Sequence, residues 1–175
     1  MMREFDFYLV GTPIGNLSDL SGRAAGILSS VDFILAEDTR KSGTLLRSFG
    51  ISVKTVPYHD HNKEKVTPGI LDRIEAGETG ALITDAGTPG ISDPGFYLVR
   101  AMIERGIEFT VIPGPSAVTQ ALVQSGMPTD RFTFYGYIPR KKGARERLLR
   151  EALEAPSTSV FFESPHRIAS TLEAA

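Results

Sequence analysis

Five short apolar runs, FDFYLVG, DFILAED, ISVKTVPYH, GALITDAG and IEFTVIPG, alternate with segments of helical periodicity along the first two-thirds of the chain. Apolar runs of that length, closed by glycine or charged residues, read as strands buried on both faces. Strand–helix alternation predicts an α/β fold whose sheet is largely parallel, five-stranded and covered on both sides. In open sheets of this kind, ligands bind beyond the carboxyl ends of the strands. Glycine- and proline-rich loops follow three of the strands, in YLVGTPIG, ALITDAGTPG and FTVIPGPS. Those three loops are therefore expected to meet along one edge.

After SGMPTDR the pattern restarts with a strand FTFYGYI, a basic helix from Lys142 to Leu153, a strand STSVFFES and a helix opening at PHR. The sequence predicts an N-terminal α/β domain over 1–124 and a smaller α/β domain over 125–175. Two strand–helix pairs bury a sheet poorly. The second domain is thus expected to be the incomplete start of a larger one.

Composition narrows the chemistry. With 41% apolar and 23% charged residues, the 175-residue chain has the make-up of a soluble globular protein. It has no cysteine, which excludes disulfides, thiolate metal sites and cysteine nucleophiles. No run is long enough to span a bilayer, and the N-terminus lacks a signal-peptide core, so a cytoplasmic protein without membrane contact is expected. The net charge of −2 does not mark a nucleic-acid binder. Locally, however, RKKGARERLLR sets six basic residues against one glutamate. Such a segment is either a solvated helix face or a phosphate-contacting patch.

The longest loop, TDAGTPGISDPGF, carries the most information. Gly87 and Gly90 let a ligand approach the main chain, while Pro89 and Pro94 stiffen the path. Its length exceeds what a connection requires. No dinucleotide fingerprint and no phosphate-binding P-loop is present. In AEDTRKS, Asp38 either caps the next helix or serves a ligand, and Arg40 or Lys41 either meets phosphate or pairs with it. Ser116 is positioned to cap a helix whose first amides face the crevice. His59 and His61 have metal-like spacing without further ligands, so no metal is expected.

Taken together, YLVGTPIGNLSDLS, AEDTR, TDAGTPGISDPG, VIPGPSA and FFESPHR resemble the tetrapyrrole methylase family, in order and over essentially the whole chain. Within it they are similar to members acting on small-subunit ribosomal RNA. The resemblance implies S-adenosylmethionine as donor, a cytidine ribose 2′-hydroxyl of 16S rRNA as acceptor, a homodimer, and a donor held between two α/β domains. It implies donor contacts at Pro13, Ile14, Asp85, Ala86, Gly87, Thr88, Gly90, Ile91, Ser116, Ala117, Phe162 and Glu163. Relatives acting on tetrapyrroles carry G-D-P where this chain has DAGTPG. The candidates for a base are Asp38, Asp85 and His166. Arg40, Arg140, Lys141, Lys142, Arg145 and Arg167 are the candidates for RNA contact. A corrin-type macrocycle or protein side chain as acceptor, and an adenosine-binding module without turnover, are the alternatives.

Overall fold

The computed structural model describes residues 5–173. The chain divides into two compact units, the first ending at Ser116 and the second beginning at Ala117. The division falls one helix before the 124/125 boundary expected from the sequence.

The first unit holds five strands, β1 (Phe7–Val10), β2 (Phe33–Ala36), β3 (Thr55–Pro57), β4 (Gly80–Ile83) and β5 (Phe109–Ile112). They form one parallel sheet in the order β3-β2-β4-β1-β5. Between them run α1 (Gly22–Ser30), α2 (Thr39–Ser48), α3 (Lys63–Glu75) and α4 (Gly95–Arg105). A short 3-10 turn over Leu17–Asp19 precedes α1.

Alternate strand residues go to opposite faces, so the two-residue repeat of a strand builds two cores. Phe7, Leu9, Phe33, Leu35 and Leu82 pack on one face with Ile70, Leu71 and Ile74 of α3 and Leu98 and Met102 of α4. Val10, Ile34, Ala36, Ala81 and Ile83 pack on the other with Ala24 and Leu28 of α1 and Leu46 of α2. Every residue of β2 and of β4 is buried, which is why those strands are continuous apolar runs in the sequence. β3 is shorter than the run ISVKTVPYH. It lies at the sheet edge and pairs only with β2, where Pro57 can end it without costing an interior ladder bond.

The second unit contains α5 (Ala117–Ser125), β6 (Phe132–Tyr137), α6 (Lys142–Glu154), β7 (Thr158–Phe162) and α7 (Ile168–Leu172). β6 and β7 pair in parallel, with a shift of register between Phe134 and Tyr137. Aromatic side chains hold this small ladder, with Tyr135 stacked on Phe161 at 5.0 Å and Phe134 edge-on to Phe162 at 4.8 Å. α5 packs against β7, which explains why it groups with the second unit. The Thr158 hydroxyl ties β7 to the Pro128 carbonyl at 2.7 Å. The last two residues of the predicted terminal helix lie outside the described residues. No described helix is long and apolar enough to cross a membrane.

The two-faced core makes a specific demand on α4. Leu98 is completely buried, so Leu98→Ala should lower unfolding free energy by about 2–5 kcal/mol. Urea titration should show a lower midpoint with an unchanged slope.

Candidate ligand-binding site at the carboxyl edge of the sheet

β1 and β4 are neighbours at the centre of the sheet, yet the chain leaves them in opposite directions. From β1 it passes over β4 to reach β2, and from β4 it passes over β1 to reach β5. Such a reversal marks the edge, beyond the strand ends, where open α/β sheets bind ligands.

The exits from these strands are joined to one another. Thr12 and Gly87 form an isolated antiparallel bridge. The Thr12 amide donates to the Gly87 carbonyl at 2.9 Å, and the Gly87 amide donates back to Thr12 at 3.1 Å. The Thr12 side chain is fully buried, and its hydroxyl donates to the Thr84 carbonyl at 3.2 Å. On the other side, Gly11 lies so close to Gly114 that a Cβ on Gly11 would fall 2.8 Å from the Gly114 Cα. Backbone meets backbone there, and neither residue can carry a side chain. The loops after β1, β4 and β5 therefore share one rim, as the sequence predicts.

Within the β4 loop, most of the amides expected to face a ligand already have partners. Ala86 N–H donates to the Thr84 hydroxyl, Gly87 N–H to Thr12, and Gly90 N–H to the Asp93 carboxylate. Gly87 at φ +87° and Gly90 at φ +93° occupy the left-handed region that favours glycine. The loop offers a ligand its shape, its carbonyls and its apolar side chains more than a row of free N–H groups. Pro13 is buried, Ile14 is half-buried beside Gly87, Thr88 is half-buried, and Ile91 is 50% exposed.

Carboxylates gather at the same edge. Asp38 caps α2, accepting from the Arg40 amide at 2.9 Å, and its two oxygens also receive the Arg40 guanidinium. The Arg40 side-chain hydrogen bond is the largest influence, and it holds the Asp38 carboxyl down at about 2. A carboxylate so acidic is a weak base. Asp85 accepts the Asp38 amide at 3.3 Å and the Lys41 ammonium at 2.6 Å, clamping the start of α2 to the long loop. Glu37 has the opposite environment: burial first, then the charges of Asp85, Asp93 and Asp60, push its carboxyl up. His59 and His61 sit edge to edge at 6.0 Å, and no group of metal-ligating side chains forms among the described residues.

Ser116 closes the first unit, while Ala117, Phe162 and Glu163 belong to the second. There, Glu163 accepts from the Ser164 amide, the Thr171 hydroxyl and Arg167. Burial pushes its carboxyl up, but those donors and the Arg145 charge outweigh it and leave the group below its ordinary range. Arg167 donates to the Ile138 and Pro139 carbonyls as well, joining the ends of β6 and β7. Its guanidinium is thus committed to internal contacts. Arg145 is half-buried, while Arg140, Lys141 and Lys142 are exposed, Lys142 reaching Glu146 at 3.8 Å. His166 is exposed just before α7.

The Asp38–Arg40 pair predicts a pH signature. A carboxyl lowered by folding stabilises the fold above its ordinary value of 3.8, and that contribution is lost as pH falls from there to about 2. NMR titration should place Asp38 near the lower figure, and Arg40→Met should move it upward.

With that geometry in place, comparisons with known proteins are specific. The family profile for Tetrapyrrole (Corrin/Porphyrin) Methylases matches residues 6–175. A protein named ribosomal RNA small subunit methyltransferase I from Vibrio cholerae is 47% identical over 166 residues, covering 95% of this chain and 58% of its own length. Proteins of the same name from Synechocystis (48% identical, 94% of this chain, 59% of theirs) and Xylella fastidiosa (50%, 94% and 60%) match similarly. The chain thus spans 58–60% of the length of these relatives. A crystal structure of uroporphyrin-III-C-methyltransferase from Thermus thermophilus superposes with a TM-score of 0.59 at 22% identity, covering 83% of this chain and 73% of that one, and supports the fold. Fold, motifs and profile agree: the chain belongs to the tetrapyrrole (corrin/porphyrin) methylase family.

Proposed function

We propose that the full-length protein transfers a methyl group from S-adenosylmethionine to a cytidine ribose 2′-hydroxyl of 16S rRNA. The observation that carries this reading is the 45–50% identity, across 94–95% of the chain, to relatives named small subunit rRNA methyltransferases. Assembly as a homodimer belongs to the same reading.

The residues of the rim fit the donor. Glycines in the left-handed region, with Ile14 and Ile91 nearby, suit a flat apolar base. The carboxylates Glu37 and Asp85 suit a ligand carrying positive charge. When bound, the donor supplies an activated methyl carbon on a sulfonium sulfur. The chain's contribution is alignment: the stitched loops fix the ligand with little motion left to freeze.

A ribose hydroxyl also needs a proton acceptor. Asp38 is a weak base because Arg40 holds it, and Asp85 is held by Lys41. His166 remains a candidate from the second unit. In the second unit the exposed Arg140, Lys141 and Lys142, with the half-buried Arg145, supply phosphate contacts, and in the first unit Arg40 is the candidate for the same role. Arg167, committed to internal carbonyls, contributes by holding the ends of β6 and β7.

Two experiments test the reading. Incubating the full-length protein with labelled donor and 30S subunits should place label in 16S rRNA; label in a macrocycle and none in RNA would reject the acceptor. In Gly87→Val, the new side chain meets a φ of +87°, at a strain of about 1–3 kcal/mol. Calorimetry should show loss of S-adenosylmethionine binding by a folded protein. Unchanged affinity would remove the long loop from the donor site.

A further inference from the structure

The turn that ends the long loop is organised by one side chain. Asp93 Oδ1 accepts the Gly90 amide at 2.8 Å and the Gly95 amide at 2.7 Å, and Oδ2 accepts Gly90 again at 2.9 Å. Between those amides Ser92 stands at φ +64°, the only non-glycine in the left-handed region among the described residues. A Cβ on Gly95 would fall 2.7 Å from the Gly90 nitrogen and 2.8 Å from Asp93 Oδ1. The turn is closed tightly on its carboxylate, and one residue of it is strained.

A helix cap alone does not account for this arrangement. Asp93 stands at the start of α4, where an acidic side chain commonly accepts an early amide. The Gly95 bond fits that role. The Gly90 N–H, shared between both carboxylate oxygens, lies on the other side, three residues back in the loop, and its bond fixes Gly90 and Ile91 relative to the helix. Nor does the ionised group favour folding on balance. Burial raises the affinity of Asp93 for its proton against the pull of the Gly90, Gly95 and Ile91 amides, with the Asp60 charge adding to the rise. A carboxyl raised by folding favours the fold at low pH and loses that contribution as pH rises through its folded titration point. Ionising Asp93 therefore costs the fold some of the stability it has with the group protonated.

We propose that Asp93 is a positioning residue for donor binding: its carboxylate latches Gly90 to the start of α4 and so holds the 90–95 turn in the shape that receives S-adenosylmethionine. The inference rests on the donor-binding reading of the previous section. Its force is geometric: one carboxylate holds both the Gly90 and the Gly95 amides, so the turn is fixed to the helix start before a ligand arrives.

Three variants of the full-length protein separate a latch from a cap. Asp93→Asn keeps an oxygen able to accept both amides without the buried charge. Its thermal midpoint at neutral pH should equal or exceed that of the wild type, with donor affinity within about threefold. Asp93→Ser keeps a capping oxygen for Gly95 that is too short to reach Gly90. It should remain as stable as Asp93→Ala or more so, yet bind S-adenosylmethionine at least about tenfold more weakly than the wild type. Hydrogen exchange at the Gly90 amide gives a reading without ligand: protection should fall in Asp93→Ser and Asp93→Ala and persist in Asp93→Asn. Wild-type protection of Gly90 in Asp93→Ser would overturn the latch whatever the donor does. Wild-type affinity in Asp93→Ser would overturn its role in binding. Absence of donor binding by the wild type, with the exchange pattern as expected, would leave the latch in place and reject the donor reading instead.

Discussion

The reciprocal pair of backbone bonds between Thr12 and Gly87 is the contact on which the site depends. Two loops leaving neighbouring strands in opposite directions have no local reason to keep one geometry. Joined through their main chains, with the buried Thr12 hydroxyl bonded to the Thr84 carbonyl, they become a single rim. The close approach of Gly11 to Gly114 brings in the third loop. The Thr12–Gly87 pair and the Gly11–Gly114 approach use main-chain atoms alone, so the arrangement follows chiefly from glycine placement and strand order, with the Thr12 hydroxyl as its one side-chain link.

Around that rim, carboxylates of the same kind do different work because their neighbours differ. Asp38 is satisfied by a helix end and a guanidinium and becomes strongly acidic. Asp85 bridges from the long loop to Lys41 and to the amide of Asp38. Glu37, crowded by burial and by other acids, holds its proton more tightly than usual. Asp93 turns inward to its own loop. Positive charge brought to this edge would ease the repulsion that Asp85, Asp93 and Asp60 impose on Glu37.

Much of this was readable from the sequence, for physical reasons. β2 and β4 are buried on both faces, so they had to be continuous apolar runs, and their positions follow from FILA and GALI. The glycine–proline loops identified the edge because a parallel sheet sends all its carboxyl ends one way. β3 was overestimated, since an edge strand ends wherever its single partner does. The pairs that define the site were not legible: Lys41 and Asp85 lie 44 positions apart, and Thr12 and Gly87 meet only once the sheet has formed. Nor could residue type reveal that the Ala86, Gly87 and Gly90 amides are engaged within the rim, or that Arg167 is turned toward carbonyls.

The most direct test is to map which backbone amides of the full-length protein slow their exchange when S-adenosylmethionine is added. Simultaneous protection of 11–15, 84–95 and 113–116 is the result expected of one shared rim. Protection confined to a different edge of the sheet, with those three segments unchanged, would contradict it.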